Sequence, residues 1–236
     1  MEGIKSEGRS KVNTSKNDKN KVAQLYDHIA EIYEESMKPL THFQDSVESF
    51  LAENESSGQR VLDIGCGPGH FTRALPPDVE VVGLDISKAM VQVARQKRPT
   101  GTYLVHDFHQ ALPAELGKFD IVVANGCFDF CEDLAIVIDN VSAVLASGGR
   151  FYLTINECRA DLPFHDACWI DASGGRADIR MFFWTFSEIA TALEKAGLQP
   201  LTYRHAPGWE SVDLQTTIYY GYWVVEHLRN KDKSKK

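Results

Sequence analysis

Two absences set the first bounds on this chain. None of its five cysteines (66, 127, 131, 158 and 168) form a CxxC pair, and five is an odd number. That argues against a disulfide framework and a zinc site, and fits reduced thiols in a cytoplasmic protein. No apolar run approaches the roughly 18 residues of a membrane span. The opening MEGIKSEGRSKVNTSKNDKNK has no apolar core of a secretory signal. The expectation is a cytoplasmic location with no membrane partner. Positive charge is scarce away from the ends. Residues 1–20 carry +2 and residues 230–236 carry +3 against −8 for the whole chain, which leaves −13 on 21–229. A surface that acidic repels a phosphate backbone, so no nucleic-acid partner is expected. The two basic ends read as disordered tails, 1–20 and 230–236, around a single domain at 21–229.

What is present can build a core. Hydrophobic residues make up 43% of the 236 positions. Val22, Leu25, Ile29 and Ile32 recur at helical spacing within 21–36, and Phe43, Val47, Phe50 and Leu51 do so within 41–53, where Thr41 can cap. These two helices occupy 21–55, ahead of everything else. Short β-type runs then alternate with helical ones: RVLDIG with HFTRAL, VEVVGLD with SKAMVQVARQK, TYLVHD, FDIVVAN with DLAIVIDNVSAVLA, RFYLTIN, and FSEIATALEKAG before QPLTYRHA and TTIYYGYWVVEHL. The early runs are continuously apolar, as in strands buried on both faces of a parallel sheet. The alternation predicts an α/β, doubly wound fold. Residues 158–185 fit neither period and read as an inserted segment, a loop or lid.

The stretch VLDIGCGPGHF places Gly65, Gly67 and Gly69 directly after the first strand run. A phosphate loop needs GxxxxGK[ST], and no such lysine follows. A dinucleotide loop needs GxGxxG, and position 70 is His. What remains is a ligand carrying ribose and adenine without a pyrophosphate. Three acids support it: Asp63, Asp85 and Asp107 close three successive strand runs, each 22 residues after the last. A carboxylate after the second strand can accept from both ribose hydroxyls, and one after the third from the adenine amine. An acid near the glycines suits a cationic ligand.

In order, VLDIGCGPG, VVGLDIS, HDF, FDIVVANGCFDF and LASGGRFYLTI resemble the motifs of the class I S-adenosylmethionine-dependent methyltransferases, and YDHIAEIYEE resembles the cap helix of their small-molecule branch, which includes the ubiquinone and menaquinone methyltransferases. The resemblance covers about 22 to 225. It implies a Rossmann-like, seven-stranded, mostly parallel sheet ending in an antiparallel C-terminal hairpin, with N-terminal cap helices. It implies S-adenosylmethionine as cofactor and S-adenosylhomocysteine as product, with no metal. The glycine loop would pack on the amino-acid part of the cofactor, with Asp63 orienting the loop. Asp85 would hold the ribose and Ile86 the adenine face. Asp107 would bind the adenine amine beside Phe108, and Asn125 and Tyr33 would complete the site.

The fourth-strand motif lacks the NPPY or DPPY form used on planar amino nitrogens. The expected reaction is methyl transfer to an O or N atom of a small organic molecule, by a monomer or homodimer. The alternatives are an inactive cofactor-binding module and a protein or tRNA methyltransferase. His109 and His165 are the candidate general bases. Tyr26, Phe128, Trp169, Arg176 and Arg180 are the candidate substrate residues, the arginines suiting a carboxylate or phosphate.

Overall fold

The computed structural model describes residues 16–37, 41–54, 56–157, 162–170, 176–211 and 214–228. Among the described residues, nine strands form two sheets. The main sheet contains β1 (Arg60–Ile64), β2 (Glu80–Asp85), β3 (Thr102–Val105), β4 (Phe119–Ala124), β5 (Leu145–Glu157), β8 (Leu198–Ser211) and β9 (Thr216–His227) in the order β3-β2-β1-β4-β5-β9-β8. The first five run parallel, and β9 is antiparallel to both β5 and β8. The expected Rossmann-like sheet of seven strands with an antiparallel C-terminal hairpin is therefore present. β6 (Phe164–Ile170) and β7 (Arg176–Phe182) pair as a separate hairpin, which gives the expected 158–185 insertion an extended form.

Helices α4 (Lys88–Lys97), α5 (Leu134–Val144) and α6 (Phe186–Lys195) cover the sheet. Each begins where the sequence supplies a cap. Ser87 accepts from the Met90 amide, Asp133 accepts from Ile136, and Thr185 closes a capping box with Glu188. The core runs along β4 and β5, where Val122, Phe151, Leu153 and Ile155 are fully buried. Chain order reverses between β1 and β4, which places a crevice at the carboxyl ends of these neighbours.

The HFTRAL segment departs from expectation. It forms a run of turns and no helix. Pro76 and Pro77 follow directly and stop a helix there. Arg98, only 6% exposed, holds the end of the segment by donating to the carbonyls of Arg73, Leu75, Pro76 and Val79.

The N-terminal cap also differs. Helix α1 (Lys16–Ile29) starts inside the stretch expected as a tail and ends early, and α2 (Tyr33–Met37) follows a tight turn closed by the Ile32 amide on the Ile29 carbonyl. Ile32 leaves the apolar face and is 42% exposed, while Val22 and Leu25 pack on Ile179 of β7. Helix α3 (Thr41–Asn54) buries Val47, Phe50 and Leu51, as its spacing requires.

Polar contacts fix α1 and α2 in place. Asp27 Oδ1 accepts from Ser87 Oγ at 2.6 Å and from the Ala89 amide at 2.9 Å, so a side chain of α1 helps cap α4. Glu34 pairs with Arg73 and Lys97. Replacing Asp27 by Ala should speed amide exchange across 16–30 roughly fivefold, the factor corresponding to about 1 kcal/mol of lost capping. Exchange at β1 and β4 should not change. Hydrogen exchange with mass spectrometry measures both, and uniform acceleration would mean that α1 belongs to the core.

Candidate active site

A cleft opens at the crevice between the β1 and β4 ends. Gly65 and Gly67 form its floor in the left-handed region, with φ of +63° and +51°. Gly65 cannot carry a side chain, because a Cβ there would stand 2.3 Å from the Cβ of Cys127. The loop after β1 thus packs directly on the loop after β4. A Cβ on Gly67 would meet only Tyr33, at 3.9 Å. Gly69, with φ +74°, turns the chain away and does not line the cleft.

Asp85, at the end of β2, holds the floor. Its Oδ2 accepts from the Gly67 amide and its Oδ1 from the Ser87 amide, each at 2.8 Å. Burial pushes its carboxyl up to about 6, with these amide bonds opposing and Asp27 adding repulsion. Asp63 lies behind the loop, 2% exposed, and accepts from Thr72 at 2.8 Å. Burial raises it to about 7. Its place is consistent with the loop-orienting role expected for it, but it does not line the cleft.

Asp107 lies two residues past β3, on the cleft wall with Ile86, His106 and Phe108. Its Oδ1 accepts from the His109 amide at 3.0 Å and from His109 Nδ1 at 2.8 Å, and its Oδ2 accepts from Lys19 at 3.0 Å. Burial opposes the charge, but the bonds from His109 and Lys19 outweigh it and hold the carboxyl well below the usual range. His109 Nε2 accepts from the Glu132 amide at 3.1 Å, so Nδ1 carries the proton and both ring nitrogens are engaged. This geometry makes His109 a support for Asp107 and leaves no ring nitrogen for a base.

The other end is aromatic. Tyr26, Tyr33, Phe130 and Phe182 line it with Asn125, Cys127 and Arg180. The Tyr26 and Tyr33 rings meet edge-on at 6.0 Å although the helix breaks between them. Burial raises both hydroxyls well above their ordinary value. Arg180 makes a two-point pair with Asp166, at 2.6 and 2.8 Å, and its guanidinium lies over Phe164.

Two candidates stand elsewhere. Phe128 is fully buried between Phe108 and Phe151, and the short 3-10 turn Phe128–Phe130 brings Phe130 to the cleft instead. His165 pairs with Met181 in the hairpin, one register step from the Asp166–Arg180 pair, and does not line the cleft. The side chains of Trp169 and Arg176 lie outside the described residues. Lys19 and Glu132 line the site unforeseen; from sequence alone Lys19 falls in the basic tail, ahead of the first helix.

A family model described as a methyltransferase domain matches residues 62–153, which span β1, both glycine and acid motifs, and most of β5. The match agrees with the expected resemblance to the class I S-adenosylmethionine-dependent methyltransferases over residues 62–153. Among similar proteins is malonyl-[acyl-carrier protein] O-methyltransferase of Salmonella typhimurium, 30% identical over 70% of this chain and 64% of the relative. Trans-aconitate 2-methyltransferase of Paracidovorax citrulli is 29% identical over 70% of this chain and 62% of its own length. The matched region is thus less than two thirds of either relative. The fold matches that of magnesium protoporphyrin IX methyltransferase from Synechocystis PCC 6803 with bound S-adenosylmethionine: TM-score 0.65, 18% identity, 91% of this chain and 99% of that one.

The methyltransferase cleft fits the family cofactor, S-adenosylmethionine. Each Asp85 oxygen uses one lone pair on a backbone amide and keeps another for a ribose hydroxyl. Asp85→Ala should weaken S-adenosylhomocysteine binding at least tenfold, since charge-assisted bonds of roughly 1.5–3 kcal/mol are lost. Unchanged affinity by calorimetry would refute this placement. The acids also set a pH dependence. Asp63 and Asp85 titrate near 7 and 6 in the fold, above the unfolded value of about 3.9. Between those values the folded chain holds more protons than the unfolded one, so stability falls as pH rises from about 4 to about 7. Thermal melts should show this slope, and Asp63→Asn should flatten it. A flat wild-type profile would contradict the raised values.

Proposed function

We propose that the methyltransferase domain transfers a methyl group from S-adenosylmethionine to an O or N atom of a small organic molecule. The observation that carries this reading is the polarity of one continuous cleft: ribose and adenine acceptors at Asp85 and Asp107, and an aromatic end at Tyr26, Tyr33, Phe130 and Phe182 beyond the glycine loop. S-adenosylmethionine supplies an electrophilic sulfonium methyl when bound. Asp85, Ile86, Asp107 and Phe108 would hold its nucleoside, and the Gly65–Gly67 backbone with Asn125 its amino-acid part. The aromatic end would hold an apolar or flat acceptor and exclude water from the transferring group. Catalysis then comes mainly from proximity and orientation.

The similar proteins named for malonyl-[acyl-carrier protein] and trans-aconitate support an oxygen-bearing acceptor. Arg180 at the cleft rim is in keeping with a carboxylate-bearing substrate, provided that Asp166 gives way. No helix among the described residues is long and apolar enough to cross a membrane. We place the protein in the cytoplasm, as a monomer or homodimer.

Incubating the protein with S-adenosylmethionine and a panel of small acids, phenols and N-heterocycles should produce methylated product and S-adenosylhomocysteine. Product formation no higher than that of Asp85→Ala would overturn the reading. The α1–α2 segment packs over the cleft and contributes Lys19, Tyr26 and Tyr33. S-adenosylhomocysteine should therefore slow amide exchange at 16–37 more than at the strands. Equal exchange with and without it would mean that the segment is a fixed cap.

A further inference from the structure

Among the described residues, the buried polar atoms without a hydrogen-bond partner include Asp129 Oδ1 and Asn156 Nδ2. Asp129 is 6% exposed and Asn156 is fully buried. Asp129 sits between Cys127 and Phe130, both cleft-lining, in the turn that follows β4. Its Oδ2 accepts from the Tyr220 hydroxyl at 2.6 Å. Tyr220 of β9 stands opposite Asn156 of β5, so their side chains leave the same face of the sheet. Asn156 Oδ1 accepts from the Trp209 indole at 3.4 Å, which fixes the amide with Nδ2 as the open end. One unmet acceptor and one unmet donor therefore flank Tyr220; Asp129 adjoins the cleft-lining Cys127 and Phe130 in sequence, while neither Asp129 nor Asn156 itself lines the cleft. Buried polar atoms left in this state carry a desolvation cost and call for a ligand.

We propose that these two atoms form the acceptor site of the methyl transfer: Asp129 takes the proton of an O–H or N–H acceptor, a phenol, alcohol or ring N–H compound, while Asn156 donates to a neighbouring oxygen of the same molecule. This rests on the methyltransferase reading above. The acceptor's X–H bond breaks and its proton goes to Asp129 Oδ1. The freed electron pair forms the X–CH₃ bond, and the S–CH₃ pair stays on sulfur as a thioether. One sulfonium and one carboxylate are thus replaced by two neutral groups. Burial lifts Asp129 to about 7, against the opposing Tyr220 bond, which suits a base working near neutral pH. The titratable groups facing it are Tyr220 from β9, Tyr26 from α1, Tyr33 from α2 and Cys127 after β4, all pushed up by burial and neutral in that range. A carboxylic acid as the acceptor group is disfavoured here, because its anion would face Asp129.

The test compares wild type, Asp129→Asn and Tyr220→Phe. Its readouts are S-adenosylhomocysteine affinity by calorimetry, the protonated-carboxyl infrared band against pH, and turnover on phenols, alcohols, N–H heterocycles and carboxylic acids. Asp129→Asn should keep the affinity within about threefold, lose a carboxyl band that titrates near neutral pH, and lose at least about 100-fold in kcat on protic acceptors. Tyr220→Phe should move the rising limb of the pH–rate profile upward. Any of three results overturns the proposal: Asp129→Asn turning over protic acceptors within about threefold of wild type, methylation of carboxylic acids alone, or no band dependent on Asp129. A wild-type protein that binds no S-adenosylhomocysteine, or methylates nothing on the panel, would instead refute the methyltransferase reading and this proposal with it.

Discussion

The site depends on one carboxylate. Asp85 accepts the amides of Gly67 and Ser87, and so joins the loop after β1 to the loop after β2 at the edge where the parallel strands end. From that junction the contacts spread outward. Ser87 donates to Asp27 and brings in α1, and α1 brings Tyr26 and Lys19 to the cleft. On the other side, the bare Cα of Gly65 lets Cys127 approach, which sets the distance between the β1 and β4 loops. A side chain at Gly65 would force those loops apart, and loss of the Asp85 carboxylate would free the Gly67 amide.

The acids around this junction are held in opposite ways, and the difference is functional. Asp63, Asp85 and Asp129 are desolvated with few compensating donors, so their charged forms are strained. Asp107 receives three donors and stays ionised. A cationic ligand with a neutral adenine suits that pattern. Asp85 borders the glycine loop, Asp63 lies behind it and Asp129 follows β4, while Asp107 stands on the cleft wall. Clusters of raised carboxyls weaken the empty fold, a cost that sites built for charged ligands accept.

Much of this was legible in the sequence. The continuous apolar runs announced parallel strands, and the glycines with Asp85 and Asp107 marked the cofactor end, because each of those signals is local in the chain. Phe128 and Phe130 show where local reading stops. Both follow β4, and only the direction of a three-residue turn decides which one meets the ligand and which one fills the core. HFTRAL has helical spacing, yet it folds as a run of turns whose end is held by the guanidinium of Arg98, 25 residues beyond Arg73. The histidines looked like bases until the pairing of His109 with Asp107 and the Glu132 amide consumed both of its nitrogens.

The sequence by itself determined the strand–helix alternation, the parallel core and the chemistry of the cofactor end, because periodicity and glycine spacing act over neighbouring residues. The tertiary structure alone decided the polar cluster next to the turn after β4. Asp129, Asn156, Trp209 and Tyr220 come from four separate segments, and they meet because β9 inserts antiparallel between β5 and β8. The unmet atoms of Asp129 and Asn156 are buried only once that register forms, so no spacing along the chain encodes them.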